Sequence, residues 1–287
     1  MENFIQVVVN GTLISGLYAL IAVGLTLIFG VMRVINFAHG EFMMLGGYTT
    51  YWLFVLLRLD PLLSLLISMV VLAGLGLIVQ RCLINPVLGA SSLNQILLTF
   101  GLAIILQNVA MILWTSDYVS VQTWYSTHSL RVGFVRISVA KLGIFFMAII
   151  LMMLLGIILK KTETGKVLRA VSQDPQTAQL MGIDINRAYM IAFAIGTGLA
   201  GLAGAATSTV MSIFPTVGVE FIMKAFAIVV FGGLGSVAGA CLASFILGVT
   251  ESLVGTYVPG GGGWAEAVSF TVLILVLIFR PKGIFSS

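Results

Sequence analysis

Charge is what this sequence has least of. Only 8% of its 287 residues are Asp, Glu, Lys or Arg, while 60% are hydrophobic and the mean hydropathy is +1.15. A soluble domain carries about 25% charged and roughly 45–50% apolar residues. The shortage excludes a water-soluble domain and points to an all-α polytopic membrane protein. The net charge of +4 must then be read by side of the membrane, and it is no evidence for a nucleic-acid partner. Two cysteines, Cys82 and Cys241, build neither a disulfide framework nor a cysteine metal site. The two histidines, His39 and His128, are far apart, and no H-E-x-x-H, G-x-S-x-G or carboxylate pair lies within a span, so the residues of an intramembrane enzyme are missing. No G-x-x-x-x-G-K-[ST] occurs either, so the chain is expected to bind no ATP or other cofactor itself.

Long apolar runs are abundant. At about 20 residues per crossing, they fall roughly at 4–32, 42–57, 62–80, 95–114, 140–159, 189–213, 222–258 and 265–280. The run at 222–258 is too long for one crossing and "VFGGLGSVAGA" interrupts it at Gly232, Gly233, Gly235 and Gly239. It reads as a glycine-broken helical hairpin, tolerated at membrane depth where protein or a wet cavity satisfies the freed backbone. The expectation is one transmembrane domain, 1–287, with about 8–9 transmembrane helices. The first run, after Met1-Glu2-Asn3, has no positive n-region and is read as a retained span. With the N-terminus outside, Arg33, Arg81, Lys160, Lys161, Lys166, Arg169, Arg187, Arg280 and Lys282 face the cytoplasm, leaving Arg58, Arg131, Arg136, Lys141 and Lys224 outside. This frame satisfies the positive-inside rule and ends the chain in the cytoplasm.

Two polar segments connect the spans. The outer one, 115–139, alternates β-branched and aromatic residues and predicts a short hairpin, with Trp114, Trp124 and Tyr125 suited to the interfacial belt. The inner one, 160–187, predicts two short helices: one after Gly165 running to Val171 or Ser172, and one capped by Asp174-Pro175 and closed by Gly182. Such a pair is either a docking element or a well-capped connection. "GTGLAG", Gly196 to Gly201, matches a dinucleotide fingerprint in letters only. It lies inside an apolar span, where Gly198, Gly201, Gly204 and Ala205 form a small-residue packing face. Glu251 is the most nearly intramembrane ionisable group, while Lys224 and Glu220 are expected at an outer boundary.

"INFAHGEFMMLGGY", Ile35 to Tyr48, concentrates Asn36, His39 and Glu41 between apolar runs. Arg33 would end the first span on the inner side, with Asn36 or His39 as caps and Glu41 in a helical first turn. From Tyr18 through this stretch the sequence resembles the branched-chain amino acid ABC transporter permeases of the LivH type. "NPVLGASSLNQILLTFGLAIILQN", "TGKVLRAVSQDPQTAQLMGI", "KAFAIVVFGGLGSVAGACLASFILGVTES" and "FRPKGIF" follow in the family's order, so the likeness covers nearly the whole chain.

The resemblance implies an inner-membrane importer subunit working by alternating access. Its partners would be a second homologous permease, two cytoplasmic ABC ATPases that use the ATP, and a periplasmic substrate-binding protein. It implies an ATPase-coupling loop at Gly165, Arg169, Ala170, Asp174, Ala178 and Gly182, although Thr177 stands where many ABC permeases have the glutamate of an E-A-A motif. Candidate path residues are Asn36, His39, Glu41, Gly198, Gly201, Gly232, Gly233, Gly235 and Glu251, within glycine-rich regions in the two halves of the chain. The alternative function is a secondary transporter driven by an ion gradient, with Glu251 or Glu41 as its coupling site.

Overall fold

The computed structural model describes residues 1–279 and Gly283, so Arg280, Lys282 and most of the terminal motif lie outside the described residues. Apart from one small hairpin and a bridge between Val119 and Ile213, the regular structure among the described residues is helical. In order, the helices are α1 (Glu2–Met32), α2 (His39–Leu57), α3 (Pro61–Val79), α4 (Ser92–Trp114), the short α5 (Trp124–Thr127), α6 (Val139–Lys161), α7 (Glu163–Gln173), α8 (Pro175–Leu180), α9 (Ile185–Thr207), α10 (Val217–Gly232), α11 (Val237–Tyr257) and α12 (Gly261–Phe279). Six of these are long and apolar enough to cross a membrane: α1, α3 with its continuation to Val87, α4, α6, α9 and α11. Local chemistry sets their starts. Asp60 caps α3 ahead of Pro61, Ser91 caps α4, Ser138 caps α6, Asp184 caps α9 and Ser236 caps α11, each side chain accepting a backbone N–H of the first turn.

α1 and α9 form the interior and run antiparallel. They cross where Gly24 meets Gly196: a Cβ on Gly24 would sit 2.7 Å from the Gly196 carbonyl oxygen, and one on Gly196 would sit 2.8 Å from that of Gly24. Such approach is what small residues permit between membrane helices. α3 packs along α9 and α11 along α1, whereas α4 and α6 lie outside with most of their surface apolar and exposed.

Two triplets of helices repeat with the same order and opposite directions. In α1–α2–α3 and again in α9–α10–α11, a long buried helix leads through an irregular segment into a shorter helix that starts within the bundle. Gly46 against Gly201 and Gly47 against Gly204 show that α2 runs parallel to α9, and Tyr18 against Phe221 with Gly30 against Gly235 that α10 runs parallel to α1. Gly40 on Gly218 joins the starts of α2 and α10, which point in opposite directions. The sequence places Gly-rich regions at corresponding positions in the two halves; in the fold those regions lie against each other.

One end of the bundle carries Arg33, Lys160, Lys161, α7, α8 and the glycine turn between α10 and α11. The other carries an antiparallel hairpin, β1 (Ser129–Val132) and β2 (Val135–Ser138). Its tight turn needs Gly133 at φ +60°. Gln6 ties it to α1 by donating to Arg136 O at 2.8 Å and accepting from Arg136 N at 2.7 Å. A hairpin is therefore present in the segment where one was predicted. Trp114 stacks on Tyr48 with ring centroids 4.2 Å apart.

Candidate functional site

Residues 33–38 correct the sequence reading of the first connection. Arg33 ends α1 in a left-handed conformation, φ 55°, as expected, but the chain then climbs back along α1 instead of remaining at its end. His39 Nε2 lies 3.1 Å from Ile21 O, well inside α1. The climb is possible because protein groups meet the backbone: Asn36 Oδ1 accepts from Ala38 N at 3.1 Å, and Thr99 Oγ1 donates to Ile35 O at 3.1 Å. Thus α2 begins at mid-depth, with Asn36, His39 and Glu41 all at most 1% exposed.

These three residues do not converge on one point. His39 and Glu41, two positions apart on a helix, point to opposite sides. The imidazole faces α1 and Gly24, whereas the carboxylate accepts from Gln107 Nε2 of α4 at 2.8 Å and lies against Gly218 at the start of α10. Asn36 Nδ2, His39 Nδ1 and Glu41 Oε2 have no hydrogen-bond partner.

The other path candidates are spread over the fold. Gly198 and Gly201 face α3 at Met69, Ala73, Leu72 and Ser68. Gly232 packs on Gly239 within the predicted hairpin, while Gly233 (φ 101°) and Gly235 (φ 86°) make its turn beside Gly30. Glu251 accepts from Lys224 Nζ at 2.6 Å. Lys224 is not at an outer boundary: it is half-buried, also donates to Tyr18 Oη at 3.1 Å, and sits 5.2 Å from that ring's centre. Sequence reading missed Tyr18 and Gln107 and misplaced Lys224 because each meets a partner distant in the chain.

At the basic end α7 and α8 lie across the bundle. Thr162, not Gly165, starts α7, its hydroxyl accepting from Gly165 N at 3.1 Å. Gly165 sits inside the helix, where the tight bend from α6 leaves no room for a Cβ beside the Ile158 and Leu159 carbonyls. Asp174 caps α8 as predicted, accepting from the amides of Gln176 and Thr177 and from the Thr177 hydroxyl. The Thr177 hydroxyl, then its amide, hold this carboxyl below the usual carboxylate range. Gly182 closes α8 at φ 82°. Leu168, Val171 and Ala178 are buried, Ala170 is half-buried and Arg169 is exposed. Leu180 and Met181 are 88% and 78% exposed at the tip. α7, the end of α1 and the α10–α11 turn enclose a cavity of about 700 Å³ whose lining includes Arg33, Arg169, Gln173 and Ser236.

The comparisons agree with this architecture. A solved structure, PsaBC from Streptococcus pneumoniae in complex with Fab, shares the fold at a TM-score of 0.51 and 17% identity, over 95% of this chain and 91% of that one. The branched-chain amino acid transport permease BraD of Pseudomonas aeruginosa is 32% identical over 98% of this chain and 95% of its own length. LivH of Escherichia coli is 31% identical over the same shares. The model of the branched-chain amino acid transport system permease component matches residues 7–277, and the chain belongs to that family.

Proposed function

We propose that this chain is the permease subunit of an ABC importer for branched-chain amino acids in a bacterial inner membrane, and that it forms part of a path opened alternately to either side. The observation that carries the reading is the pair α7–α8. An amphipathic helix seats its buried face on the bundle and continues into a capped turn that holds Leu180 and Met181 out. Two large apolar side chains raised from a polar surface need a partner, and a cleft of a cytoplasmic ATPase is the fitting one. Gly165, Arg169, Ala170, Asp174, Ala178 and Gly182 shape this coupling element. ATP is bound by two such ATPases, substrate comes from a periplasmic binding protein, and a second homologous permease completes the membrane part.

The basic end then lies in the cytoplasm and the β-hairpin end outside, with the N-terminus outside. α2, α10 and α12 join the six long helices in the membrane. α2 and α10 start at mid-depth, so a count of 8–9 includes helices that do not cross alone.

The test is recovery of partners from membranes with a tagged chain, comparing it with Arg169→Glu and Met181→Glu. The ATPase and a second permease should co-purify with the parent chain. Each substitution should reduce ATPase recovery while leaving the second permease bound. Uptake that needs no ATPase and stops with an uncoupler would overturn the reading.

A further inference from the structure

Glu41 is a buried carboxylate without a cation. It is 1% exposed, and neither salt bridge among the described residues involves it. Its position is nonetheless built for negative charge. It lies in the first turn of α2, and a Cβ on Gly218 would sit 2.7 Å from its carboxyl carbon and from both oxygens. The carboxylate therefore lies on the starts of two helices, whose N-terminal dipole ends both favour an anion. Oε1 takes the Gln107 amide, while Oε2 has no partner. A desolvated acceptor left open in this way is costly, and a donor that arrives and leaves would account for it.

The same three chain segments also build an aromatic layer. Phe37 before α2, Phe100 of α4 and Phe226 of α10 are in contact, with Phe37 centred 4.9 Å from Phe226 and 6.2 Å from Phe100. Helix directions put all three on one side of the carboxylate. Phe37 precedes Glu41, Phe100 precedes Gln107 on a parallel helix, and Phe226 follows Gly218 on the antiparallel one. At 1.5 Å per residue, the seven or eight positions between the layers amount to roughly 10 Å. An open acceptor above an apolar aromatic floor complements a primary ammonium joined to a short aliphatic chain.

We propose that Glu41 is the α-ammonium subsite of the translocation path, and that Phe37, Phe100 and Phe226 receive the aliphatic side chain of the same amino acid. The inference rests on the importer reading above. Phe37 touches both other rings in this structure, so they must separate to admit the side chain. α4, the least embedded of the three elements, is the one whose movement separates them.

The test uses the whole importer in proteoliposomes, with radiolabelled leucine as probe and ATPase activity stimulated by loaded binding protein as a second readout. Glu41→Gln should cut leucine uptake about tenfold or more, as loss of a charged hydrogen bond implies, while assembly and stimulated ATPase activity persist. Glu41→Asp should retain most uptake. Gln107→Lys places a tethered ammonium beside the carboxylate and should block uptake in an assembled complex. If the parent complex shows no ATP-dependent leucine uptake, the importer reading itself fails. If the parent imports and either Glu41→Gln or Gln107→Lys imports equally well, the subsite alone is overturned. Failure of Glu41→Gln to assemble, with Gln107→Lys fully active, would assign Glu41 a purely structural role and overturn it too.

Discussion

The two inverted triplets share a plan but are fastened by different chemistry. In α1–α2–α3 the shorter helix is held to its neighbours by neutral groups: Thr50 and Ser68 hydroxyls 2.9 Å apart, Ser68 to Gly46 O at 3.3 Å, and the imidazole of His39 on Ile21 O. In α9–α10–α11 an ion pair does this, with Lys224 joining Glu251 of α11 and Tyr18 of α1. Interhelical hydrogen bonds within a membrane average only about 0.6 kcal/mol, because separated helices find other partners. Breaking one side of a buried ion pair costs far more, since the remaining charge is left uncompensated. The second triplet is thereby fixed to α1, whereas within its own triplet α2 is held by weaker bonds and close packing, its bond to a charged group, Glu41 with Gln107, going to α4. A transporter needs both behaviours.

Substitutions can break this contrast at graded cost. The largest effect is expected from Lys224→Ala, which leaves Glu251 unpaired and should lower stability by about 3–5 kcal/mol. Denaturation of the purified permease in mixed micelles measures it, and adding Glu251→Leu should recover much of the loss. Next comes Gly204→Ala. Its Cβ would collide with the Met43 carbonyl of α2, so α2 must move off α9 at about 1–3 kcal/mol; crosslinking between cysteines placed in α2 and α9 should weaken in parallel. Smallest is Thr50→Val, expected near 0.6 kcal/mol. If it costs as much as Lys224→Ala, the two halves are equally fastened and the contrast fails.

Features encoded by neighbouring residues were legible in the sequence. The Asp174-Pro175 cap, the Gly182 stop, the glycine turn at 233–236 and the hairpin within 115–139 each depend on a few adjacent positions, and each is present. Depth was not legible. Asn36, His39 and Glu41 read as the edge of the membrane because a polar break between apolar runs normally marks one. What returns them to mid-depth is the hydrogen bond from Thr99 to Ile35 O and the room left by glycines in α9 and α10, far along the chain. The same limit hid Lys224: nothing local states that Tyr18, separated from it by 206 positions, lies within reach. The helix was placed after Gly165 because glycine usually stands outside a helix, whereas here it lies within α7 and allows it to turn closely against the end of α6.

The climbing segment 33–38 also sets a schedule for biogenesis. Its surroundings include α4 and Phe226 of α10, and α10 leaves the ribosome long after α1 and α2 do. A nascent chain halted before α10 therefore lacks one wall of the shelter that α2's entry requires, because bare backbone is not stable against lipid. The first half of this protein must wait in an unfinished state for the second, so quality-control proteases should recognise truncated chains by an α2 that has not yet settled.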